Sequence, residues 1–208
     1  AASRNIALAV NYLRRYSESH VRIRDWIRSG RIGAIQKVAG LYTKGVFHNG
    51  THWFDLARWM IGEIAQVKAL SAPASETDPT LDAGLLFDNG ARGVLQGCDA
   101  DAFSVFEMDI IGTLGRVRLV DSGHRVETYQ AAESPYYSGY LALRKEEDRV
   151  GDLGSTGLRA LEDLVQSLEQ RVPPRCSGAD GLAALRIASA VVRSAAEGTE
   201  IHLSPSGR

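Results

Sequence analysis

LDAGLLFDNGARGVLQGCDADAFSVFEMDIIGTLGRVRLVDSGHRVETYQ, residues 81–130, is the stretch that decides the fold. It breaks into β-forming runs at 81–87, 91–98, 103–111, 115–120 and 125–130. Between them stand Asp88-Asn89-Gly90, Gly112 to Gly115 and Asp121-Ser122-Gly123. Asn-Gly and other short glycine turns close antiparallel hairpins, whereas a parallel crossover takes a dozen residues or more. The stretch therefore predicts an antiparallel meander, which a further run at 64–70 extends upstream.

Outside it the spacing of apolar residues turns mostly helical. Ser17 is placed as an N-cap, Ile23, Trp26 and Ile27 share a helical face, and Gly30 stops it. Gly33 opens an extended run over 34–44, and Ile6 to Leu13 reads as one more short strand. Trp53, Leu56, Ala57, Met60 and Ile61 predict a helix over 50–61 that ends at Gly62. Tyr136, Tyr137 and Tyr140 fall in a loop without periodicity. Leu158, Leu161, Leu164, Val165 and Leu168 form the stripe of one late helix, stopped by Pro173 and Pro174, and Leu182, Leu185, Val191 and Val192 belong to another over 181–197. The fold class that results is α+β: an open, mostly antiparallel sheet with helices packed on one face, as a single domain over 1–208.

Composition narrows the function. A chain of 208 residues with 44% hydrophobic side chains suits one sizeable core. No apolar run reaches the roughly 18 residues of a membrane span, Ala1 to Asn5 lacks a signal-peptide stretch, and the lone Cys98 and Cys176 fit a reduced, cytoplasmic setting. The net charge of −1 hides a basic start, with nine Arg and Lys against Glu18 and Asp25 up to Lys44. That segment suits either an anionic partner or pairing with acidic residues elsewhere in the fold. Nucleic acid is disfavoured, because no binding motif accompanies the charge.

Chemistry concentrates in His48-Asn49-Gly50-Thr51-His52-Trp53-Phe54-Asp55. With a helix starting near Gly50, His52 sits in its first turn, where the helix dipole favours the neutral imidazole, and Asp55 three residues on is placed to orient the ring. The competing reading is a satisfied structural histidine. A metal triad of His48, His52 and Asp55 is disfavoured, since a helix boundary between the histidines spoils their register. Gly112-Thr113-Leu114-Gly115 reads as a hairpin turn. No two glycines are separated by a single residue, so G-x-G-x-x-G is absent, as are G-x-S-x-G and the P-loop.

Several segments, in order, resemble the C-terminal domain of the Gfo/Idh/MocA oxidoreductases: Val10 to Tyr16, Gly30-Arg31-Ile32-Gly33, Gly50-Thr51-His52-Trp53-Phe54-Asp55 with Gly62, Ile111 to Gly115, and Ser177 to Gly181 leading to Gly198. The resemblance implies an NAD(P)-dependent dehydrogenase of a sugar, nucleotide sugar, polyol or related secondary alcohol. It implies a Rossmann domain that precedes this one and carries G-x-G-x-x-G and E-K-P, with residues 1–16 as the link. It also implies a homo-oligomer formed through the open sheet face. His52 matches the family histidine as the catalytic group. Lys44, His48, Arg15 and Asp55 are candidates for substrate binding, and Asn11 for the cofactor. The family aspartate of D-x-G-x-H is replaced by His48, which leaves a non-catalytic dimerisation or ligand-binding module as the alternative. The 208 residues alone are not expected to turn over, because hydride transfer needs the cofactor held against the substrate.

Overall fold

A computed structural model of the chain describes residues 6–72 and 77–203. In chain order it contains α1 (Glu18–Arg28), β1 (Ile35–Tyr42), a π-helical turn (Gly45–Gly50), α2 (Thr51–Met60), β2 (Ile64–Ala69), β3 (Ala83–Phe87), β4 (Arg92–Gly97), β5 (Phe106–Gly112), β6 (Gly115–Val120), β7 (Arg125–Glu133), β8 (Leu141–Val150), α3 (Thr156–Gln170), α4 (Gly178–Glu197) and β9 (Ile201–His202).

The alternation of the central strands builds the core. Phe106, Met108 and Ile110 of β5, Val117 and Leu119 of β6, and Val38 and Tyr42 of β1 are buried on one face of the sheet. Helix α2 reaches that face at Gly40, where any Cβ would fall inside the Trp53 indole, whose Nε1 donates to the Glu107 carbonyl at 3.0 Å. Helix α4 packs on α2 and β2. The opposite face carries ion pairs across the strands: Asp109 with Arg116, Arg118 with Glu127 at 3.0 Å, and Lys145 with Glu127 at 2.7 Å. The sheet is open, nearly all antiparallel, and helix-covered on one side, as expected.

Two expectations are corrected, and a third point is a strand for which no expectation was formed. The strand order is β8-β7-β6-β5-β1-β4-β3-β2-β9, so the meander is interrupted: β1 lies between β4, to which it runs parallel, and β5. The link over 98–105 is long enough to step across one inserted strand, roughly two strand spacings of ~4.8 Å. Second, Ile6 to Leu13 is no strand: only Ala9 bridges, to Ser177, and Leu13–Tyr16 winds into a 3-10 turn. Its backbone pairs instead with the residues that precede α4: the Val10 N–H donates to the Cys176 carbonyl and the Gly178 N–H to the Leu8 carbonyl. Residues 1–5 of the expected link lie outside the described residues. Third, β8 had no signal. It is an edge strand paired with β7 and almost wholly exposed, so its sequence carries no alternation, and the three tyrosines belong to the connection that leads into it.

Most of the basic start pairs with the rest of the fold. Arg22 and Arg31 meet Glu147 and Glu146 of β8, Arg28 donates to the Trp59 carbonyl, and Arg14 lies over the Phe106 ring at 3.5 Å.

Ser17 caps α1 as read, accepting from the His20 N–H. Its hydroxyl also donates to Asp152 at 2.7 Å, so the 2.8 Å contact with His20 makes Nδ1 of that ring the donor. His20 is fully buried, and burial, helped by the charge of Arg14, lowers its pKa to about 3. Between about pH 6.5 and about 3 the unfolded chain therefore carries a proton on His20 that the folded chain does not. Stability is expected to be whole above that window and to fall with acidification, with His20 contributing up to about 1.4 kcal/mol per pH unit. Urea midpoints of the wild type and His20→Gln from pH 7.5 to 4.5 check this; equal slopes in the two proteins would contradict it.

Candidate functional site

The site grows from the turn that leaves β1. Lys44 (φ 67°) and Gly45 (φ 79°) are both left-handed, and a Cβ at Gly45 would collide with the Asp78 carboxylate. That carboxylate accepts from the Phe47 N–H (2.7 Å) and the His48 N–H (3.0 Å), while Thr80 accepts from Gly45 at 3.0 Å. These bonds satisfy the orphan donors of the π turn. Thr51 closes it by donating to the Phe47 and His48 carbonyls. Helical backbone therefore runs unbroken through His48 and into α2, contrary to the boundary expected between the two histidines. The extra residue of the π turn, not a break, sets their relation: the ring centroids stand 6.3 Å apart at an interplanar angle of 64°. Among the described residues no group of three His, Cys, Asp or Glu side chains is placed to hold a metal ion.

His52 is half-buried, and Tyr12 meets its ring edge-on, with centroids 4.8 Å apart. Burial first, then the charges of Arg14 and His48, lowers the His52 pKa to about 4. The imidazole is therefore neutral at neutral pH, although burial rather than the helix dipole is the main cause. Burial likewise raises the Tyr12 phenol. His48 and Lys44 are exposed beside His52 in sequence, and Asn11 is exposed next to Tyr12.

Asp55 does not orient His52. It is 1% exposed, and its two oxygens accept from Arg15 Nε at 2.9 Å and Nη2 at 2.7 Å. Burial pushes the Asp55 carboxyl up, against the pull of the Arg15 guanidinium. Arg15 Nη2 also donates to Asp180 at 3.0 Å, and Nη1 donates to the Arg175 carbonyl at 3.2 Å. The other oxygen of Asp180 accepts from Ser177 and completes the capping box of α4. Arg15 thus ties the entry segment to α2 and to the start of α4. Ser177-Gly178-Ala179-Asp180 has the spacing of a capping box, so Asp180 was legible in the sequence. Asp78 and Tyr12 gave no such signal.

The family profile for the C-terminal alpha/beta domain of Gfo/Idh/MocA oxidoreductases matches residues 42–203. The chain belongs to this family. It is 28% identical over 234 aligned positions to inositol 2-dehydrogenase of Rhizobium meliloti (strain 1021), covering 95% of this chain and 65% of that protein, so it spans just under two thirds of that relative. Among solved structures, levoglucosan dehydrogenase in complex with NADH and levoglucosan superposes with a TM-score of 0.78 at 19% identity, over 98% of this chain and 68% of that one. An oxidoreductase domain protein from Kribbella flavida gives 0.79 at 18% identity, over 98% and 67%. These structures share the fold.

There is no G-x-G-x-x-G; the start of α2 is closed by the π turn and that of α4 by Ser177 and Asp180. A concavity of about 980 Å³ lies away from His52, between α4, β2 and β9. No described helix is long and apolar enough to cross a membrane.

Proposed function

We propose that this chain is the substrate side of an NAD(P)-dependent dehydrogenase that oxidises a secondary alcohol of a sugar, nucleotide sugar or polyol. The reading is carried by His52: a neutral imidazole, packed against Tyr12, on a helix that a buried ion pair fixes in place. A neutral ring accepts the hydroxyl proton as the carbon–hydrogen bond is broken and can return it in the reverse direction. The nicotinamide, held by a domain outside these residues, supplies the hydride acceptor. Inositol 2-dehydrogenase and levoglucosan dehydrogenase support the substrate class.

Lys44 and His48, both exposed, bind substrate hydroxyls. A lysine held left-handed costs about 1–2 kcal/mol, and such strain is found where a side chain has to be presented. Asn11, exposed next to Tyr12, is assigned to the cofactor. Arg15 and Asp55 serve the substrate site by positioning, since their charges are spent on one another. The open sheet face seats a second copy. The test is a dehydrogenase assay on the polypeptide that includes the nucleotide-binding domain, following absorbance at 340 nm with NAD+ or NADP+ against a panel of polyols, sugars and nucleotide sugars. The 208 residues alone give no turnover. No reduction by the longer polypeptide with any member of the panel would favour the second reading, a ligand-binding module, for which the replacement of the family aspartate by His48 speaks.

A further inference from the structure

Arg14 is the half-buried cation of the entry segment that no carboxylate claims. Arg15, Arg22, Arg24 and Arg31 each pair with an acidic side chain, whereas Arg14 has no such partner among the described residues. Its guanidinium lies over the Phe106 ring, with Cζ 3.5 Å from the centroid, and its Nε is shut off from solvent without a hydrogen-bond partner among those residues. Burial lowers its pKa to about 10, which leaves it charged at neutral pH. Taking a cation out of water without giving it an anion costs free energy, so the reason for it lies in what the charge does.

The turn between β6 and β7 is bent to hold it. Asp121, Ser122 and Gly123 are all left-handed, at φ 53°, 55° and 85°, and the first two lack the freedom of glycine. In that conformation the Ser122 carbonyl accepts from Arg14 Nη2 at 3.1 Å. A Cβ at Gly123 would stand 3.2 Å from Arg14 Nε, so a side chain there would crowd the guanidinium. The residues on either side of Arg14 are tied to α2: Tyr12 meets the His52 ring with centroids 4.8 Å apart, and Arg15 takes the Asp55 carboxylate. Phe106, under Arg14, and Glu107, whose carbonyl accepts from Trp53 Nε1, are consecutive on β5. The guanidinium and the first turn of α2 therefore stand on adjacent residues of one strand. The groups that act on the His52 ring are Tyr12 and Arg14 from the entry segment and His48 from the π turn, while Asp55, one helical turn on, is taken up by Arg15.

We propose that Arg14, seated by the Asp121–Gly123 turn, is a positioning residue for His52: an unpaired cation set beside the imidazole, where it disfavours a second positive charge. The role of the ring in catalysis rests on the proposed function; the hold of Arg14 on the ring does not. The test is the titration of the His52 ring protons by NMR in the 208-residue chain as wild type, Arg14→Met and Arg14→Lys. Methionine keeps much of the stem that covers Phe106 and removes the charge, and the ring is then expected to titrate at least about 0.5 pH unit higher than in the wild type. Lysine keeps the charge and loses the planar fork, and the ring is expected to stay within about 0.2 pH unit of the wild type. Should Arg14→Met not fold, Arg14→Gln is read in its place. An unchanged titration in the uncharged variant would overturn the proposal. So would a lysine variant whose ring titrates as high as in the uncharged one, since lost packing and not lost charge would then have moved it. The acid limb of kcat/KM is followed in parallel in the polypeptide that includes the nucleotide-binding domain. No turnover, or a limb that stays put while the ring shifts, overturns the functional reading and leaves the hold of Arg14 in place; a ring that does not shift overturns the proposal whatever the limb does.

Discussion

His52→Ala in the dehydrogenase polypeptide is expected to lower kcat by about 10²–10⁴-fold, the usual contribution of a positioned acid–base group. Binding of NADH should stay near the native value, since the proposed function places the cofactor in the domain outside these residues. The melting temperature should fall only slightly, because His52 is half-buried and its neighbours Tyr12 and Trp53 retain their own packing. A second measurement addresses the mechanism: with a pKa near 4, the His52 ring proton resonances in the 208-residue chain should stay constant from pH 8 to about 5. Turnover of the alanine variant within a few-fold of the wild type would remove His52 from the chemistry and leave it a packing residue.

Asp55→Ala is expected to destabilise the fold by about 3–5 kcal/mol, because it leaves Arg15 buried with half its partners gone. In a chain of this size that is a fall in melting temperature on the order of 10 °C. Arg15→Met combined with Asp55→Leu removes both charges and should recover most of the loss, since a buried pair is often no better than a well-packed apolar one. The single variant is measured by urea and thermal denaturation against the double; a loss under 1 kcal/mol for Asp55→Ala would mean that the pair is not buried in solution as it is here. The consequence for activity is indirect: Asp55 follows His52 by one helical turn, so loosening the Arg15 tie also loosens the ring that we propose as the acid–base group.

Much of this was open to reading residue by residue. The N-cap at Ser17, the glycine turns at 88–90 and 112–115, and the apolar faces of α1 and α2 follow from periods and turn chemistry, which are local. His52 stood out because its helix could be read. Its partners could not. Asp55 at three residues looked like the group that orients the ring, yet a helix fixes only which side chains are close to one another, not which distant cation takes the carboxylate, and here Arg15 does, 40 residues away. Asp78 holds the π turn from 30 residues downstream for the same reason.

By itself the sequence determined most of the element types and an open, mostly antiparallel sheet, which rest on spacing within single segments, and the family, which rests on several short motifs in order. Tertiary structure alone decided that β1 enters the middle of the sheet, that the entry segment is no strand, that β8 is one, and that the α3 stripe faces outward. Those outcomes depend on which surfaces find a partner. Burial is a property of pairs of segments, and an apolar stripe or a strand-like run states what a segment needs without saying whether this chain supplies it.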